Sequence, residues 1–204
     1  AKIGLVYNFN REEADLTKSL VHPYVPRFPR HVSYDLVLFG SWRRKGVYVG
    51  EKQIASPGSY PVAGFNFAPM YNLNYKLRFG VSLDGVYDGS ANVYTEDALV
   101  EYDAGSGSSR RKFLVPGIQN QLALGLSGRA EYVMPFFTIG VGLGTNVLGR
   151  GDLRGLYQVF ALKINVTRSS FLHIGYNLQD FQTPNYLMLG LGFRFNNKYP
   201  KVRH

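Results

Sequence analysis

Apolar and polar side chains alternate one by one over long stretches of this chain. From Lys76 to Asp88, Leu77, Phe79, Val81, Leu83 and Tyr87 share one parity, while Lys76, Arg78, Ser82, Asp84 and Asp88 share the other. From Ile118 to Met134, Ile118, Leu122, Leu124, Leu126, Tyr132 and Met134 alternate with Gln119, Gln121, Ser127, Arg129 and Glu131. A side-chain period of two belongs to strands. The pattern and the turn residues predict eight strands, near 32–42, 60–70, 76–87, 118–134, 136–148, 156–167, 170–178 and 186–195. The connections 72–75, 134–136 and 168–169 are tight, while 43–59, 88–117, 149–155 and 179–185 are longer. Short turns on one rim and long loops on the other are the layout of outer-membrane barrels. The fold class expected is therefore all-β: an eight-stranded antiparallel transmembrane β-barrel of the outer-membrane type, in the bacterial outer membrane.

An even strand count places both termini on the periplasmic side. The expected organisation is an N-terminal arm and connector over 1–31, the barrel over 32–195, and a basic periplasmic tail over 196–204. Ile3–Tyr7 reads as a possible further strand, and Arg11–Ser19 as a short polar helix. His22–Pro29 carries three prolines and reads as extended. No basic-plus-apolar leader opens the chain, the mark of a mature form or of a cytosolic protein. Phe195 ends the last strand on the parity of Leu187, Leu189, Leu191 and Phe193, as in barrels that present a terminal aromatic for membrane insertion.

Alternation alone does not distinguish this barrel from a soluble one with its apolar face inward. The polar parity decides for the membrane. It holds Arg78, Arg129, Asp84 and Glu131, which can pair across a narrow lumen. It also holds Gly140, Gly142 and Gly144, which a crowded eight-strand interior needs. Mean hydropathy is −0.14, which excludes a bundle of apolar membrane helices. The 15 Tyr and 14 Phe suit aromatic girdles at the two interfaces.

The chain has no cysteine, so disulfides, thiol catalysis and Cys-bound zinc are excluded. The formal net charge is +9. Nucleic acid is set aside as a partner, because the basic residues divide between inward strand positions (Arg78, Arg129, Lys163, Arg194) and loop clusters. The clusters are Arg43, Arg44 and Lys45; Arg110, Arg111 and Lys112; and Arg150 with Arg154. Beside a membrane they would meet anionic headgroups, including lipopolysaccharide phosphates. The expected partners are outer-membrane lipids and other outer-membrane proteins. No cofactor fingerprint is present: Gly140 to Gly144 lies within a strand and opens no helix. The histidines have no metal spacing. Asp84, Asp88 and Asn92, with Glu96 and Asp97 nearby, offer oxygens for calcium but lack the spacing of a calcium loop, and read as a solvated strand end with a turn.

The segment Ser169-Ser170-Phe171-Leu172-His173-Ile174-Gly175-Tyr176-Asn177, followed by Thr183-Pro184-Asn185, resembles the end of the lipid A 3-O-deacylase (PagL-like) and acyloxyacyl hydrolase barrels. The resemblance implies an eight-stranded outer-membrane fold. It also implies hydrolysis of an acyl ester of lipid A by a Ser-His-Glu triad, marked by His-x-Ser-Asn, a Pro-Asn loop and a nearby Glu. His173 stands at the family histidine, but the nucleophile position is Gly175, and no acid follows Asn185. A nucleophile needs a base in reach, and the base an orienting group. Ser169 lies four strand residues from His173, about 13 Å. Asp180 is the candidate to orient His173. On parity, His173 points into the lumen, where a hydrogen-bonded packing role is expected of it. Two functions follow. One is a catalytically inactive barrel acting as a structural or interaction subunit, or as a lipopolysaccharide-contacting scaffold. The other is an active deacylase using Ser90, Ser127 or Ser170 with His173.

Overall fold

A computed structural model describes residues 27–49, 52–56, 58–103, 108–181 and 183–198; residues 47–49, 52–55, 95–103, 108–113 and 183–184 are described by their backbone. The strands run β1 (His31–Arg43), β2 (Gly46–Val49), β3 (Lys52–Ala55), β4 (Tyr60–Asn72), β5 (Leu77–Asp88), β6 (Tyr94–Asp103), β7 (Ser108–Leu114), β8 (Leu122–Val133), β9 (Phe137–Leu148), β10 (Leu156–Asn165), β11 (Ser170–Gln179) and β12 (Thr183–Phe195). Eight of them close an antiparallel barrel in the order β1-β4-β5-β8-β9-β10-β11-β12, with β12 returning to β1. Closure runs from Tyr34 opposite Phe195 to Gly40 opposite Leu189. The all-β, eight-stranded fold expected from the alternation is the fold observed.

Two expectations are corrected. The segments 43–59 and 88–117 are not plain loops: β2 pairs with β3 and β6 with β7, each as a separate two-stranded sheet. The strand expected from Ile118 begins at Leu122, because residues Ile118–Asn120 follow Pro116-Gly117 as a turn of 3₁₀-helix. The strand and helix expected at Ile3–Tyr7 and Arg11–Ser19 lie outside the described residues, as do His22, His204 and the tail beyond Lys198.

The turns at the rim where β1 begins and β12 ends are shaped by side chains. Asn74 Oδ1 accepts from the backbone N–H of Lys76 (2.8 Å) and Leu77 (2.7 Å). Thr167 Oγ1 accepts from those of Ser169 (3.2 Å) and Ser170 (3.0 Å). Both side chains add to the backbone bonds of their turns. His31 ties down both ends of the barrel. Its Nδ1–H donates to the Pro29 carbonyl (2.7 Å), and its Nε2 accepts from the Lys198 N–H (3.0 Å).

Parity sorts the two faces inside out. Leu38, Phe79, Val81, Leu126, Leu143, Phe160, Leu189 and Leu191 all face outward and are exposed. Buried polar groups line the interior, including Asp35, Arg78, Glu131, Lys163 and Arg194. A belt of exposed apolar side chains around a charged interior is stable only with hydrocarbon outside. The backbone obeys the same solvent, since a closed barrel leaves no open sheet edge in lipid.

The lumen is filled with ion pairs. Near the terminal rim, Asp35 Oδ2 accepts from Arg78 (2.6 Å) and Lys163 (2.9 Å), and Oδ1 from Arg194 Nε (2.9 Å). Glu131 accepts from Arg78 Nε (2.5 Å) and pairs with Lys163 (2.6 Å). The Phe171 ring lies between Lys163 Nζ (5.0 Å) and the Arg194 guanidinium (5.2 Å), a double cation–π contact. Its ring crosses Gly192, where a Cβ would come within 2.1 Å of it. Further out, Asp84 pairs with Arg129 (2.9 Å) and accepts from Asn66, Ser82, Ser127 and Tyr157. The two lumenal spaces found among the described residues are each about 20 Å³, room for about one water.

Candidate functional site

The strand β11 carries His173 and Gly175 on its lumenal parity, opposite Lys163 and Ala161 of β10. Across β12 they oppose Gly190 and Met188. His173 is 2 % exposed. The expected hydrogen-bonded role is corrected here: neither Nδ1 nor Nε2 has a hydrogen-bond partner among the described residues. The ring instead occupies the space a side chain at 175 would need. A Cβ on Gly175 would lie 2.7 Å from His173 Nε2 and 2.6 Å from Met188 Cε. A side chain at 175 would therefore require the ends of His173 and Met188 to shift. A groove of about 290 Å³, lined by Phe160, Leu162, Ile174, Tyr176 and Leu187, runs over the same level on the outer face. The barrel wall separates it from His173.

The candidate serines are engaged elsewhere. Ser90 Oγ donates to Asp88 (2.7 Å), and Ser127 Oγ to Asp84 (2.6 Å). Ser170 shares a hydrogen bond with Thr167 (2.8 Å) at the terminal rim. Asp180 sits in the turn after β11, seven residues along the strand from His173, roughly 23 Å. It is therefore no orienting group for the imidazole.

The oxygens of Asp84, Asp88 and Asn92 go to separate tasks. Asp84 serves Arg129 in the lumen. Asp88 pairs with Arg43 (3.1 Å) and caps the Ser90 turn, accepting from its N–H (2.8 Å). Asn92, in the left-handed region (φ 57°), donates its amide to the Asn120 (2.6 Å) and Arg150 (2.9 Å) carbonyls. Among the described residues no group of three or more His, Asp or Glu side chains is placed to hold a metal ion.

The basic loop residues divide. Arg43 turns into the lumen mouth, bonded to Asp88 and to Asn185 Oδ1. Lys45 pairs with Asp152, whose Oδ2 also accepts from the Asn92 N–H (3.1 Å). Partial burial pushes the Asp152 carboxyl up, but the hydrogen bond and charge of Lys45 outweigh it and hold the group below the usual carboxylate range. Arg44 is exposed. Arg110, Arg111 and Lys112 lie on β7, with Arg110 opposite Glu101 in the ladder. Arg150 and Arg154 border a groove of about 440 Å³ with Leu122, Val147 and Leu148, at the outer ends of β8 and β9. Two cations thus sit directly above bilayer-facing apolar side chains. The residue that the sequence reading passed over is Asp35, the hub of the inner cluster; its place on the inward parity of His31, Ser33 and Val37 was the available signal.

Residues 32–197 match the family model described as acyloxyacyl hydrolase, C-terminal domain. No curated protein matches the chain. Solved structures similar to it include Ail, the attachment invasion locus protein of Yersinia pestis, at 15 % identity and a TM-score of 0.43, covering 82 % of this chain and 100 % of that one. Neisserial surface protein A is 15 % identical with a TM-score of 0.38, covering 81 % and 96 %. The family match spans most of the chain and the whole closed barrel. With its apolar outer belt and charged interior, the chain is an outer-membrane β-barrel that belongs to the acyloxyacyl hydrolase family.

Proposed function

We propose that this barrel is a non-catalytic member of its family, a lipopolysaccharide-contacting scaffold of the outer membrane. The observation that carries the reading is the pair His173–Gly175. An acyl transfer needs a nucleophile with a base in hydrogen-bond reach and access for the ester. Here the nucleophile position has no side chain, and the imidazole fills the volume one would start in. The histidine is closed off inside the lumen, and the barrel wall separates it from the apolar groove on the outer face. Ser90, Ser127 and Ser170 are bonded to Asp88, Asp84 and Thr167.

The groove under Arg150 and Arg154 supports the lipid-contacting half of the reading. Leu122, Val147 and Leu148 suit acyl chains, and the two guanidinium groups suit phosphates one step further out. Each basic residue beside an anionic lipid surface contributes about 1 kcal/mol. Replacing both in R150Q/R154Q therefore weakens lipopolysaccharide retention by roughly tenfold or more. The test is lipopolysaccharide co-purifying with the barrel in mild detergent, quantified for native protein and double variant, together with the acyl-chain count of that lipid A. Equal retention by the variant refutes the headgroup site. Loss of an acyl chain that depends on His173 refutes the non-catalytic reading.

A further inference from the structure

Among the described residues the charges inside the barrel do not cancel. At the lumen-facing strand positions, Arg43, Arg78, Arg129, Lys163 and Arg194 face Asp35, Asp84, Asp88 and Glu131: five cations against four carboxylates, with histidine counted neutral. Two of these pairs are balanced, Arg43 with Asp88 and Arg129 with Asp84. The surplus lies in the inner cluster, where Arg78, Lys163 and Arg194 share Asp35 and Glu131. An uncompensated charge in a desolvated interior is among the most costly features a fold can carry.

A space lies beside this surplus. It holds about 20 Å³ between the inner cluster and the Asp84–Arg129 pair, and it is bordered by Lys163, Arg129, His173, Asn66 and Ser82. His173 is buried, with both ring nitrogens unpartnered, and the imidazole borders this space. A neutral imidazole carries one N–H donor whichever tautomer it takes. The carboxylates on the same wall, Asp35 and Glu131, are occupied. Asp35 accepts from Arg78, Lys163 and Arg194, and Glu131 from Arg78 and Lys163. The polar surface left to a guest is the unused N–H groups of Arg129 and Lys163 and one imidazole N–H, set against one unpartnered acceptor, Asn66 Oδ1, in a space of about one water's size.

We propose that the space between Lys163, Arg129 and His173 is a buried site for one small monovalent anion, chloride in a salt-containing medium. The anion neutralises the surplus charge and takes the His173 N–H. The site is internal and structural, and it stands whether or not the barrel hydrolyses any ester.

The test refolds the full chain in detergent in sodium chloride, sodium bromide or sodium gluconate at equal ionic strength, and reads the unfolding temperature. Gluconate is too large for the space. The halides are expected to raise the unfolding temperature by a few degrees over gluconate. Crystals grown in bromide are expected to show an anomalous peak within hydrogen-bond reach of His173 and Lys163. Two variants separate this from a general salt effect. R194Q balances the lumen at four against four, and His173→Phe fills the space; each is expected to lose the halide shift. Identical unfolding temperatures in all three salts, a peak without anomalous signal, or a halide shift that survives in both variants overturns the proposal.

Discussion

Restoring a serine at position 175 tests how the candidate site is packed. In Gly175→Ser the new Cβ would sit 2.6 Å from Met188 Cε and 2.7 Å from His173 Nε2. Carbon contacts settle near 3.5–4.0 Å, so both side chains must give by roughly 1 Å. Met188 is 1 % exposed and His173 2 %, and neither has open solvent to move into. Overpacking of this kind costs about 1–3 kcal/mol. Removing a strand glycine returns about 0.5–1 kcal/mol of unfolded-chain entropy. The net is a loss of roughly 1–2 kcal/mol, about 2–8 °C in unfolding temperature for a chain of this size. Shortening the neighbour in Met188→Leu removes the closer clash. The double variant is then expected to be more stable than the two single effects sum to, by about 0.5 kcal/mol or more. The assays are urea unfolding of the detergent-purified barrel and mass spectrometry of lipid A incubated with it. A serine variant as stable as the native protein and able to release an acyl chain would refute the reasoning, because it would show an accessible His173 with room beside it.

Two further outcomes follow from the charges. Asp35→Asn leaves Arg78, Lys163 and Arg194 around Glu131 alone and is expected to cost about 3–5 kcal/mol, read by urea unfolding; a cost under about 1 kcal/mol would show that the inner cluster is not desolvated. At the outer rim, Asp152 is held below the usual carboxylate range, so its hold on Lys45 and the Asn92 N–H is fully present above the unfolded carboxylate value of about 3.9 and lost as pH falls through the lower folded value. Protection of the 149–155 amides relative to their intrinsic exchange rates is expected to fall as pH drops into that acid window, and D152N is expected to lack this pH-dependent fall; the same fall in D152N would contradict the clamp.

The barrel was legible because a membrane wall imposes one rule at every strand position. Leu77, Phe79 and Val81 face out and Arg78, Ser82 and Asp84 face in, as a period of two requires. The paired lumenal charges Arg78–Glu131 and Arg129–Asp84 followed from the same parity. Where the chain leaves the membrane the rule lapses. The short runs Gly46–Val49 and Lys52–Ala55 are flanked by Gly and Ser residues, and their pairing is hidden by that setting. Around His173, parity showed the direction of the side chain. Whether its nitrogens would find partners depends on how the ring packs against Lys163 and Met188 of the neighbouring strands and Arg129 of β8, which a period of two does not encode. The departure of Gly175 from the family motif was visible in one residue, but the filled space beside it was not.

The most direct measurement is on the protein in its own membrane. The barrel is extracted in mild detergent, and mass spectrometry is run on the proteins and lipids that accompany it. The account predicts lipopolysaccharide bound to the barrel with all its acyl chains in place, and the same acyl pattern from a strain carrying His173→Ala. A deacylated lipid A species that disappears in the His173→Ala strain, with the variant barrel still folded, would contradict it.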